Sequence, residues 1–334
     1  MRLTPEVLYD ITKKFIAKKV EKERTIIAVY LRGSLLYGSP LLGGVGDIDI
    51  VCIHSFPPET KREIKRLTAE IHYDIEHHDQ LLYKEPRLLR VDPWWGPTLY
   101  DAKILYDSQH LIDYVQAGVR GQFNGPEQVM GRIQSLLKDA RQFWLTHQFN
   151  ADEMGLEEVE DYLTAVEQAV NAVALLTGPA LAARRLGVEF ANRAQSLGQP
   201  QLYGGFLELL GSATQNPEGL RKWLPLWEES FDALAEDTRP VNLHPHRKGY
   251  YRQGFESLLK SEHPKSMLWP LLKTWSQIAS ALPAGHPANS SWEKVCAELG
   301  LTGEGFSRKL EALDAYLEEI ENLINSWGTE HGAI

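Results

Sequence analysis

The chain has 334 residues, 43% hydrophobic and 24% charged, with a formal net charge of −10. That length accommodates two ordinary domains, and the acidic balance argues against a generic nucleic-acid binder, because phosphate neutralisation needs clustered Lys and Arg. Two cysteines, Cys52 and Cys296, far apart in sequence, allow neither a disulfide framework nor a Cys-based zinc site.

Thr4-Pro5-Glu6 is a helix start, with an N-cap, a proline at the first helical position and an acid in the first turn. Val7, Leu8, Ile11, Phe15 and Ile16 mark its apolar stripe. Lys13, Lys14, Lys18 and Lys19 lie largely off it and read as a solvated face. The N-terminus lacks the apolar core of a signal peptide, and no apolar run approaches the length of a membrane span. A cytoplasmic protein without a membrane partner is expected.

Ile26 to Leu31 is short, apolar and rich in β-branched and aromatic residues, which predicts a strand ending at Gly33-Ser34. A glycine-rich loop leads to a second strand, Ile48 to Ile53. Asp47 and Asp49 stand at its start, two apart. On a strand they share one face, about 6.6 Å apart along the chain, with Ile48 and Ile50 on the other. Two carboxylates on one face repel, and burying them without a counter-charge is costly. A divalent cation with oxygen ligands is the economical partner, since Mg²⁺ is usually held by one or two carboxylates plus substrate phosphates.

Pro57-Pro58-Glu59-Thr60 predicts a helix to about Ala69. A strand over Ile71 to His77 follows, with His72, Asp74 and Glu76 on one face. Asp74, between Tyr73 and Ile75, is preferred to Glu76 as a third carboxylate, and His77 and His78 read as surface or supporting residues. Glu85 to Arg90 predicts a short helix, Trp94-Trp95-Gly96-Pro97 a turn, and Ala102 to Asp107 a last strand before a helix over Ser108 to Val119.

The order of strand, Gly-Ser, loop, Asp-x-Asp, helix and strand with an acid resembles the polymerase-β-type nucleotidyltransferase superfamily, in its aminoglycoside-nucleotidyltransferase-like form. Gly33, Ser34, Asp47, Asp49 and Asp74 fill the motif's places, and Gly38 matches a glycine often found after that serine. The spacer from Ser34 to Asp47 is longer than in the smaller family members and unusually glycine-rich. The resemblance covers roughly the first third of the chain.

It implies an α+β architecture: a small mixed β-sheet nucleotidyltransferase domain, residues 1–122, followed by an all-α helical-bundle domain, residues 123–334. It implies transfer of a nucleoside monophosphate from an NTP to an acceptor hydroxyl, with two Mg²⁺ ions held by Asp47, Asp49 and Asp74, the catalytic residues. Gly33 and Ser34 would hold β/γ-phosphate oxygens, and Arg32 would add positive charge there. A small-molecule acceptor is favoured over nucleic acid or protein, a cationic one being drawn to the acidic chain; a homodimer is left open. The alternative is a non-catalytic nucleotidyltransferase fold that binds or regulates a partner. A dinucleotide-binding reading of Gly43-Gly44-Val45-Gly46 fails, because those glycines precede a strand and do not open a helix.

Beyond Gly125-Pro126 the pattern turns helical. Helices are predicted over Glu127–His147, Leu156–Thr177, Ala180–Gln195, Leu202–Leu210, Glu218–Ala235, Arg247–Lys260, Met267–Ala281, Trp292–Leu299 and Gly303–Trp327. Gly178-Pro179 is expected to end one and start the next. Arg141 and His147 resemble the Arg-x(4–6)-His spacing of HEPN-type RNases, but a solvated helix end accounts for them better. The basic, aromatic run His244 to Tyr251 is a loop that could close over triphosphate or acceptor.

Overall fold

The structure is a computed structural model, described for residues 4–38, 40–149 and 155–333. Helix α1 (Pro5–Lys22) is capped by Thr4, whose hydroxyl accepts from the Val7 amide. Strands β1 (Ile26–Arg32), β2 (Gly46–His54), β3 (Arg62–Arg66) and β4 (Ile71–Asp79) follow. Then come α2 (Pro86–Val91), α3 (Trp95–Asp101), β5 (Lys103–Asp107) and α4 (Leu111–Arg120). The five strands form one mixed sheet in the order β3-β4-β2-β1-β5, with β2 and β4 parallel and the other neighbours antiparallel.

Both faces of the sheet are covered, and period-two alternation decides which residue goes where. Ile48, Ile50 and Cys52 of β2 join Tyr73 and Ile75 of β4 beneath Leu8 and Ile16 of α1. Val51 and Ile53 face the other way, with Tyr30, against Leu99 of α3 and Ile112, Val115 and Val119 of α4. Asp47 and Asp49 share that second face, nearer the start of β2.

Two predicted elements are corrected here. The helix expected from Pro57 to about Ala69 is instead an extended connection and the edge strand β3, paired antiparallel with β4. Thr68 closes the hairpin: its hydroxyl accepts from the Glu70 and Ile71 amides at 3.1 Å. Only Ile64 of β3 is buried, and its four charged neighbours protect a sheet edge from further pairing. The turn expected over Trp94 to Pro97 is confined to Trp94, which caps α3; from Trp95 the chain is helical, with Asp92 Oδ1 accepting from the Trp94 and Trp95 amides at 2.8 and 2.7 Å.

The remaining helices are α5 (Pro126–His147), α6 (Leu156–Ala174), α7 (Leu186–Ser196), α8 (Gln201–Leu209), α9 (Pro217–Asp232), α10 (Lys248–Leu259), α11 (Leu268–Ala281), α12 (Asn289–Glu298) and α13 (Phe306–Glu330). Among the described residues no strand follows β5, and no helix is long and apolar enough to cross a membrane. Helix α7 begins later than its sequence pattern suggests. The Leu181 amide donates to Asn171 Oδ1 at 2.6 Å, and Arg193 packs on Gly178, so the Gly178-Pro179 segment is held as a connection between helices.

By contacts the chain falls into two compact units. The first runs to Gln128 and takes back His244–Gln253; the second comprises Val129–Leu243 and the chain from Gly254 onward. Arg141, in the second, is paired with Asp314 and Glu321, and His147 bonds the Phe143 carbonyl at 2.9 Å. Arg141 thus ties α5 to α13, and His147 bonds back within its own helix.

Between α1 and the sheet lies a polar chain, buried at His54, His77 and Lys19. Thr25 Oγ1 meets His54 Nδ1 at 2.9 Å, His54 Nε2 meets His77 Nδ1 at 2.8 Å, and His77 Nε2 meets Glu63 at 3.2 Å. Lys19 Nζ bonds Glu63 and Glu23, both at 2.8 Å. So Lys19 is buried and not part of a solvated face, and His77 is interior. Burial first, then the neighbouring His77, holds the His54 imidazole below the ordinary value of 6.5. A depressed histidine stabilises the fold above 6.5 and loses that contribution as pH falls, because the unfolded chain takes up the proton first. Stability should therefore decline below about pH 6.5, and His54→Gln should flatten that decline. Urea midpoints between pH 7.5 and 5 that run parallel in the two proteins would contradict it.

Candidate active site

Strand β2 carries Asp47 and Asp49 on one face, and the parallel register sets Asp49 beside Asp74 of β4. The three carboxylates each offer an oxygen within 4.8 Å of the others, so the sequence-predicted acids converge. Glu76 does not join them. It bonds Arg32 at 2.6 Å and His78 at 3.3 Å. Burial pushes the Glu76 carboxyl up, but His78, Arg32 and Arg62 outweigh it and hold it at about 2.

Gly33 ends β1 against this cluster. Its φ is +78°, a conformation that side-chain-bearing residues rarely adopt. A Cβ there would lie 2.1 Å from Asp49 Oδ2, so the backbone approaches the carboxylate as only glycine permits. Ser34 follows, its hydroxyl donating to the Pro40 carbonyl at 3.4 Å. Arg32 pairs in register with Asp49 across β1 and β2, while its guanidinium is committed to Glu76.

Other residues complete the site. Arg62 of β3 grips both oxygens of Asp74, Nε to Oδ1 at 2.7 Å and Nη2 to Oδ2 at 2.6 Å. Arg247, just before α10, bridges two acids: Nη1 donates to Asp74 Oδ2 at 2.9 Å and Nη2 to Asp47 Oδ2 at 3.0 Å. Tyr250 donates to Asp47 Oδ2 at 2.7 Å. The Arg247 guanidinium lies over the Tyr250 and Tyr251 rings, 4.9 and 5.5 Å from their centroids. The run His244 to Tyr251 was a reasonable suspect from its basic, aromatic composition. Arg62 carried no such signal, because it lay in a segment read as helix.

Two guanidiniums therefore face three carboxylates. Among the described residues Asp49 forms no ion pair. Burial, then the charges of Asp47 and Asp74, raise its carboxyl well above the usual range, against the pull of Arg32 and Arg247. The chain matches no protein-family model and no curated protein.

A raised carboxyl favours the fold below its unfolded value of 3.8 and loses that contribution as pH rises through the folded value. Asp49→Asn should therefore raise the melting temperature at pH 7, and the gap should close towards pH 4. An equal or lower melting temperature at pH 7 would show that Asp49 carries no such repulsion. Gly33→Ala should destabilise the protein by about 1–3 kcal/mol through strain and collision with Asp49; denaturant titration measures this, and an unchanged midpoint would show that the turn tolerates a side chain.

Proposed function

We propose that this protein is a metal-dependent nucleotidyltransferase, moving a nucleoside monophosphate from an NTP to an acceptor hydroxyl with release of pyrophosphate. The convergence of Asp47, Asp49 and Asp74 carries the reading. Three carboxylates are a hard oxygen donor set that suits Mg²⁺. Asp49, which has no cationic partner of its own, is the residue that most needs one. Ions held by Asp47, Asp49 and Asp74 would stabilise charge on the transferring phosphate and the leaving pyrophosphate.

The chain's own groups have distinct tasks in this scheme. The backbone at Gly33 and the Ser34 hydroxyl bind β/γ-phosphate oxygens at the end of β1. Asp74 orients the acceptor hydroxyl and receives its proton, with its carboxylate plane fixed by the Arg62 fork. Arg32 contributes positive charge from beside Asp49. The acidic chain attracts a cationic small-molecule acceptor.

A second reading, a non-catalytic binding or regulatory protein, is favoured by the guanidiniums already bound to Asp47 and Asp74. Pyrophosphate release in the presence of Mg²⁺, NTPs and candidate acceptors separates the two readings. Mg²⁺ with NTP should raise the melting temperature of the wild type by mass action, and Asp49→Asn should gain little. A mutant that gains as much as the wild type would remove the metal from this site. Ser34→Ala should weaken NTP binding by about 1–2 kcal/mol in calorimetric titration; unchanged affinity would take the hydroxyl out of the phosphate site.

A further inference from the structure

We propose that Arg247 is an internal counter-ion that competes with divalent metal for Asp47 and Asp74, and that an NTP's polyphosphate is the anion that draws it away. The proposal rests on the metal-site reading above. In the structure the guanidinium takes the bridging position between the two carboxylates, with near-equal contacts of 2.9 and 3.0 Å. A dication held by Asp47 and Asp74 together would compete with the guanidinium for the same two carboxylates. Guanidinium and dication repel, so the two occupants exclude one another at close range.

Arg62 is not equivalent. It binds Asp74 through Nε and Nη2 from the neighbouring strand β3, whereas Arg247 comes from a segment distant in sequence, just before α10. Arg247 is also incompletely satisfied, since its buried Nε has no hydrogen-bond partner. A fork with a spare N–H suits a phosphate, which guanidinium binds through two parallel bonds. The Tyr250 and Tyr251 rings beside it give the cation an aromatic surface in addition to the carboxylates. On this account polyphosphate and metal bind cooperatively, because each removes an obstacle to the other.

The test uses the full-length protein and two probes separately. Binding of Mn²⁺ alone, followed by loss of the free-ion electron paramagnetic resonance signal, should be roughly tenfold tighter in Arg247→Gln than in wild type, given the loss of a competing charge-assisted pair. Arg247→Lys keeps the charge without the fork and should fall between them; it carries the test if the glutamine variant does not fold. Tripolyphosphate binding in EDTA, by calorimetry, should be roughly tenfold weaker in Arg247→Gln. If wild type binds Mn²⁺ in an Asp49-dependent way and neither Arg247 variant binds it more tightly, the competition is overturned while the metal site stands. If neither wild type nor the variants bind Mn²⁺ through Asp49, the metal-site reading fails and this proposal falls with it.

Discussion

The centre of the first unit depends on one electrostatic constraint: Asp47, Asp49 and Asp74 stand together, and charge of that density cannot be buried without compensation. Arg62 and Arg247 supply most of it. Pairs of this kind contribute little net stability, because desolvation consumes much of the attraction, yet losing one partner is expensive. The arrangement thus holds elements in place less by attraction than by the cost of leaving. The edge strand β3 is tied to β4 by a charge as well as by its ladder. The segment before α10 is likewise anchored to β2 and β4.

The sheet explains why the acids can be so close. A parallel pair places Asp49 beside Asp74 on the same face, and the Gly33 turn brings backbone, not side chain, up against Asp49. The apolar cover from α3 and α4 begins further along β2, at Val51 and Ile53, so one strand changes from chemistry to core within a few residues. The opposite face of the same strand is apolar from Ile48 through Cys52, which pins the register. A slip of one residue would place both aspartates under α1.

Much of this was legible in the sequence wherever the signal was local. The alternation around Asp47 and Asp49 identified strand and face. Gly33 identified the turn. The long 3.6-residue periods after Gly125 identified helices, with ends shifted by a few residues. Arg62 failed because a short, charged segment behind two prolines carries too few apolar residues to distinguish a helix from an edge strand; its conformation is decided by β4. Arg247 failed as a partner of Asp47 for a different reason. Nothing in local pattern encodes a contact between residues so far apart, and its neighbours pointed to an anionic ligand from outside.

That separation has a consequence for how the molecule is made. Asp47 and Arg247 are 200 positions apart, and the chain between them includes most of another compact unit. During synthesis the sheet and its acids leave the ribosome long before their second guanidinium exists. The nascent first unit must therefore carry its carboxylates to water, to Arg62 or to cellular cations until α10 emerges. Its last step of folding waits on the chain's second half, so a protein cut short before residue 244 would possess every strand of the sheet and still lack a finished centre.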